Sequence, residues 1–173
     1  MYSKLSKQQV LEAVATLMEK DDSVPVSEMS AQLDLTEGEI SFVLPSSMMT
    51  AISGEHAQAI LEALPAWGKV TTIVHSCGSI FEYKAPFPKG KVAHGYYNLM
   101  GREGELHGHL KLELVKHIAV VSKPFHKMES HYIGFFDKIG ECVFKVYLGR
   151  DQKRQLFPEQ LEKLAQLKKE FAQ

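Results

Sequence analysis

Cysteine is nearly absent: Cys77 and Cys142 are the two in 173 residues. They lie far apart and form no CxxC, zinc-knuckle or CxxCH spacing, so two free thiols in a reducing compartment are expected, not a disulfide framework. A dominant charge is missing too. Twenty Lys and Arg against 21 Asp and Glu give a formal charge of −1, which offers no bulk attraction to nucleic acid or anionic lipid. No run approaches the ~18 apolar residues that a membrane span needs. The first residues, MYSKLSKQQVLEAV, have no apolar h-region or cleavage site, so no secretory signal is expected. There is no GxSxG, no GxxxxGK[ST], and no GxGxxG opening a helix. Internal repeats and low-complexity tracts are also lacking. With 45% hydrophobic residues, what remains is a globular protein of cytoplasmic type, with no membrane or nucleic-acid partner expected.

Helical periodicity comes first. Residues 6 to 19 space Val10, Leu11, Val14, Leu17 and Met18 for an amphipathic helix. Ser27 can cap a short helix, SEMSAQL. Thr36 with Glu39 is a capping-box signature for a third helix ending before Pro45. Helix, short helix, tight turn and helix is the outline of a helix-turn-helix regulator. Its expected recognition helix, EGEISFVL, carries two glutamates and no Arg or Lys, so a structural cap is the stronger expectation. GEHAQAILEALPAW is read as one more helix.

From Val70 the period changes to two. VTTIVHS and SIFEYKA flank Cys77-Gly78 as a hairpin, with His75 on the face of Ile73. APFPKGK is a Pro-interrupted loop. IAVVSK, HYIGFF and ECVFKVYLG are further strands, and PEQLEKLAQLKKEFA is a helix with Pro158 in its first turn. The order is helices, about seven antiparallel strands, then a helix, an α+β arrangement. The expected organisation is a single domain over 1–173, with 1–50 a helical cap and 68–173 the sheet core with its C-terminal helix. Strands such as HYIGFF and FKVYLG present an outer edge or face that needs covering.

Residues 70 to 111 organise the rest. VAHGYYNLM and ELHGHLKLEL are β-rich runs around GREG. With Arg102 and Glu103 as the two central turn residues, Met100 faces Glu105, Asn98 faces His107 and Tyr96 faces His109. Alternation then puts Tyr96, Asn98, His107 and His109 on one face, and Leu106, Gly108, Leu110, Leu112 and Leu114 on a core face. A Tyr–His pair away from the leucines suggests binding. The spacing H-x-H-x3-E, His107, His109 and Glu113, also resembles the first metal motif of the cupins. The closing glycine position there holds Val120, and no second motif follows. The same alternation, His107, His109, Lys111 and Glu113, fits a merely solvated strand face. Cys77 is too close to His75 on a tight turn to make a Cys–His nucleophile, and a buried or inert thiol is expected.

VTTIVHSCGSIFE, FPKGKVAHGYYNLMG, GELHGHLKLE, SHYIGFF and FKVYLGRD together resemble the HutX/ChuX family of cytosolic haem-utilisation carriers, in order and over roughly residues 20 to 165. The resemblance implies a HemS/ChuX-like half-repeat: a large antiparallel sheet flanked by helices, paired across a homodimer. It implies protohaem IX as cargo, received after import and handed to a cytosolic haem-degrading enzyme. By its motifs, the haem-contact histidines match His75 and His109, and an axial aromatic matches Tyr96. Phenolate and imidazole are both known haem-iron ligands. Lys84, Lys89, Lys91 and Arg102 flank the region and could meet the propionates. Phe81, Tyr83, Phe87 and Tyr97 offer surface for the macrocycle. The alternatives are a haem-degrading oxygenase, a cupin-like metalloenzyme and the helix-turn-helix regulator.

Overall fold

The computed structural model describes residues 4–173, so the first three residues of the expected 1–50 cap lie outside the described residues. Helix α1 (Lys7–Lys20) begins at Ser6, whose hydroxyl accepts from the Gln9 N–H at 3.2 Å. The Gln9 side chain accepts from the Ser6 N–H at 2.8 Å in return. Helix α2 (Val26–Leu33) begins at Pro25 with no side-chain cap. Ser27, expected as that cap, lies inside the first turn, because proline's fixed φ already starts the helix. Helix α3 (Glu37–Ser41) has the expected reciprocal box between Thr36 and Glu39.

Every residue of α3 is buried. The Gly38 N–H donates to the Gly140 carbonyl at 2.9 Å, and a Cβ at Gly38 would sit 2.6 Å from the Gly140 Cα. Held in this way, α3 lies against the turn at Gly140. Its acidity has an internal cause: Glu39 closes the cap, while Glu37 pairs with Lys145 and approaches His75.

Strand β1 (Met49–Ser53) follows, unmarked by any alternation in the sequence. The expected helix over GEHAQAILEALPAW is three pieces: a 3₁₀ turn, α4 (Ala57–Ala63), and a second 3₁₀ turn carrying Pro65. Then come β2 (Lys69–Ser76), β3 (Ser79–Pro86), β4 (Gly90–Ala93), β5 (Tyr96–Met100), β6 (His107–Leu110), β7 (His117–Ser122), β8 (His131–Phe136), β9 (Cys142–Leu148) and α5 (Pro158–Phe171). The described chain thus has nine strands in two antiparallel sheets. The large sheet runs β1-β7-β8-β9-β2-β3 and the small one β4-β5-β6. HYIGFF and FKVYLG are therefore interior strands, and the edges of the large sheet are β1 and β3.

The middle of the large sheet is covered on both sides, and alternation along its strands sorts side chains between two cores. Ile118, Val120, Ile133, Phe135 and Val146 join Val70, Leu61, Leu64 and Leu164 on one side. Ala119, Val121, Tyr132 and Phe136 join Val10, Val14, Met29 and Ile40 on the other. Burial on both faces makes β7 and β8 read as unbroken apolar runs. The small sheet lies on the first side, where Tyr97 and Leu99 enter the same core as Val70.

Candidate functional site

The small sheet begins with a turn that the sequence reading missed. His94 and Gly95 take positive φ, 53° and 75°, the pair of conformations that a tight two-residue hairpin requires. They split VAHGYYNLM into β4 and β5. The next turn is centred on Glu103 and Gly104, not on Arg102 and Glu103. Gly104 takes φ 79°, the Glu105 N–H donates to the Arg102 carbonyl at 2.9 Å, and the Glu105 carboxylate accepts from the Arg102 N–H at 2.6 Å. Glycine tolerates the left-handed conformation, and this turn puts it in the third position. Moving a turn centre by one residue moves the pairing by two. The ladder therefore sets Met100 opposite His107 and Asn98 opposite His109, and the expected Tyr96–His109 and Asn98–His107 pairs are corrected. A shift of two keeps every side chain on its face, so the predicted grouping of Tyr96, Asn98, His107 and His109 survives.

On the outer face, the Tyr96 and His109 rings meet edge to face with centroids 5.9 Å apart. His109 Nδ1 lies 2.6 Å from Oδ1 of Asn98. The Asn98 amide nitrogen lies 3.1, 3.0 and 3.2 Å from the carbonyls of Lys91, Ala93 and Tyr96. The Lys111 ammonium sits 4.4 Å from the centre of the Tyr96 ring, and 3.5 Å from Glu113. Sequence reasoning took Lys111 only for part of a solvated face. The corrected register carries it to the level of Tyr96, so its period from His107 and His109 was the available signal. Met100, 61% exposed, adds an apolar side chain to this face.

The leucine face is shorter than expected. Strand β6 stops at Leu110, a 3₁₀ turn spans Leu112–Leu114, and Leu114 is exposed. Glu113 sits in that turn and leaves the strand face of His107 and His109, so the cupin-like spacing does not become a constellation. Among the described residues, no group of three or more His, Cys, Asp or Glu is placed to hold a metal ion. Phe87 and Tyr97 are core residues and offer no surface to a macrocycle; Phe81 is exposed on β3. Tyr83 ties β3 to the small sheet, its hydroxyl donating to the Gly104 carbonyl at 3.2 Å.

His75 is elsewhere. Its hairpin forms as expected, with Cys77 and Gly78 at φ 48° and 79°. His75 alternates with Val70, Thr72 and Val74, so it faces the N-terminal helices, across the large sheet from the small one. Its Nδ1 lies 3.4 Å from the Glu37 carboxylate. Burial, then the Lys145 charge, hold its pKa below the usual 6.5, against an opposing pull from Glu37. His75 also borders a surface hollow of about 450 Å³ with Thr71, Ile73, Tyr147 and Arg150. Within one chain it does not join Tyr96 and His109. Lys84, Lys89, Lys91 and Arg102 are exposed; Lys84 is 3.4 Å from Glu82 on the His75 side of β3. Cys77 is exposed, whereas burial pushes the Cys142 thiol up to about 12, leaving it unreactive near neutral pH.

Residues 50–167 match the family model described as haem utilisation ChuX/HutX. The chain is 57% identical over 160 residues to the intracellular heme transport protein HutX of Vibrio cholerae serotype O1, covering 92% of this chain and 83% of that one. Among solved structures, it is similar to the heme binding protein ChuX, with a TM-score of 0.80 at 33% identity over 93% of this chain and 97% of that one. In fold alone it resembles holo-PhuS, a heme-binding protein from Pseudomonas aeruginosa, with a TM-score of 0.78 at 16% identity. That match spans 100% of this chain and 49% of the longer one, as a half-repeat would.

Proposed function

This chain belongs to the haem utilisation ChuX/HutX family, and from that premise we propose that it is an intracellular haem carrier, not an enzyme. It takes up imported protohaem IX in the cytoplasm and passes it to a haem-degrading enzyme. The observation that carries the site assignment is the Tyr96–His109 pair on the outer face of the small sheet, edge to face at 5.9 Å. Tyr96 supplies a phenolate oxygen, a hard donor suited to ferric iron, and His109 an imidazole nitrogen. Lys91 and Lys111 flank the pair, with Lys89 and Arg102 at its ends, for the two propionates. An exposed face of this kind suits a molecule that must release its cargo.

The chain works as one carrier domain and as a homodimer joined through its sheets, with the N-terminal helices serving as packing. Strand β1 is partly covered by the chain's own C-terminus, through the Gln173 N–H on the Ala51 carbonyl at 3.1 Å. Strand β3 is the open edge of the large sheet and exposes Ile80 and Phe81.

A second position for the haem is favoured by one observation, the hollow of about 450 Å³ beside His75. Titration of the protein with haemin tests both the carrier role and the site. A Soret shift saturating at a single haem per chain is expected, and it should lose its tyrosinate character in Tyr96→Phe. Reductant and oxygen added to the complex should yield no bile pigment. Pigment formation would make the protein an oxygenase. A spectrum lost in His75→Ala but kept in Tyr96→Phe would move the haem to the hollow.

A further inference from the structure

The contacts of Asn98 decide more than sheet pairing. An amide has one oxygen that only accepts and one nitrogen that only donates. The Asn98 nitrogen faces three main-chain carbonyls, those of Lys91, Ala93 and Tyr96, at 3.0 to 3.2 Å. Its two hydrogens serve the three carbonyls, one of them shared. The reverse orientation would set Oδ1 against three carbonyl oxygens, like dipole against like. The amide orientation is therefore determined, and Oδ1 must face His109, where Nδ1 stands at 2.6 Å. An oxygen without hydrogens can be met at that distance only by an N–H, so Nδ1 carries the proton. In the neutral ring Nε2 then holds the lone pair.

We infer that Asn98 is a positioning residue that keeps His109 in the Nδ1–H tautomer and presents its Nε2 as the iron-binding nitrogen. The inference rests on the reading of Tyr96 and His109 as haem ligands. An imidazole side chain in water favours the opposite tautomer, with the proton on Nε2 and the lone pair on Nδ1. His109 is exposed and meets the Tyr96 ring edge to face, a contact that does not choose between its two nitrogens; the Asn98 bond does. Asn98 is in turn anchored to the main chain of both β4 and β5. The imidazole is thus aimed by the framework of the small sheet and not by its own rotamer preference. Partners of this kind, bonded to the far nitrogen of a ligating histidine, typically change metal affinity by roughly 10- to 100-fold.

The test uses the ¹⁵N-labelled full chain without haem, read by long-range ¹H–¹⁵N correlation at mildly alkaline pH. The wild type is expected to show His109 as the Nδ1–H tautomer. Asn98→Ala should return it to the Nε2–H form and speed haem dissociation by roughly 10-fold or more. Asn98→Asp keeps an acceptor toward Nδ1 but turns a second oxygen onto the three carbonyls, so it should keep the Nδ1–H tautomer while loosening the anchor on β4 and releasing haem faster than the wild type. Amide spectra of both variants report that the sheet is intact. An Nε2–H ring in the wild type, or an Nδ1–H ring surviving in Asn98→Ala, overturns the inference. Haem spectra unchanged in His109→Ala would instead overturn the proposed ligand set, while the tautomer result stands on its own. The two failures are separable because the first is read without haem.

Discussion

Tyr96 and His109 touch edge to face at 5.9 Å although they are not opposite each other in the ladder; Asn98 occupies the position facing His109. The contact is a diagonal one, within reach of aromatic side chains across an antiparallel pair. Lys111 borders the pair, its ammonium 4.4 Å from the phenol ring centre.

From this pair follows the expected order of haem defects. Tyr96→Phe removes only the hydroxyl, so ring packing is kept and the oxygen donor is lost. It should abolish the phenolate-to-iron charge-transfer band and weaken binding about tenfold or more, each factor of ten being ~1.4 kcal/mol. His107→Ala should change little, since His107 is paired with Met100 beside the turn. His75→Ala should weaken binding less than Tyr96→Phe, because His75 faces the other side of the large sheet. Haemin titrations followed by absorbance rank the three.

The ion pair of Glu37 and Lys145 pins α3 to β9, with side-chain exposures of 10% and 3%. Removing one partner leaves a buried charge without its counter-ion, at a cost of about 3–5 kcal/mol. Glu37→Gln and Lys145→Met should each lower the unfolding free energy, read from urea titration, to that extent. The double variant should cost less than the sum, because neither charge is then stranded. Strict additivity would mean that the pair is not coupled.

The same junction predicts a pH dependence. His75 has a folded-state pKa below the unfolded 6.5, caused first by burial and then by Lys145, with Glu37 opposing. The unfolded chain therefore takes up the proton first as pH falls. The stability that neutral His75 allows is complete above 6.5 and is lost as pH drops from there toward the lowered folded value. Urea unfolding of the wild type should lose stability across that window faster than unfolding of His75→Gln. Parallel pH profiles for the two proteins would remove His75 from the account.

The open β3 edge predicts the oligomer. Light scattering at micromolar concentration should return the mass of two chains, and Phe81→Lys on the exposed end of β3 should shift it toward one. A monomeric wild type would leave Ile80 and Phe81 as ordinary surface residues.

Local chemistry was legible in the sequence wherever neighbours along the chain decide the outcome. Thr36 and Glu39 are three residues apart and close on each other, Cys77-Gly78 turns β2 into β3, and Pro158 opens α5. The face shared by Tyr96, Asn98, His107 and His109 was legible too, because alternation survives any even shift of register. The shift itself was not. Whether glycine stands third in the GREG turn or beside it depends on the Glu105 carboxylate returning to the Arg102 N–H, a bond that spacing does not announce. Strand β1 escaped notice because MTAIS has no alternation, and it becomes a strand only by pairing with β7. His75 was grouped with Tyr96 and His109 for its motif and its nearness in sequence. Only the stacking of the small sheet on one side and the helices on the other separates them, since the side of a sheet that a strand face meets is chosen by distant parts of the chain.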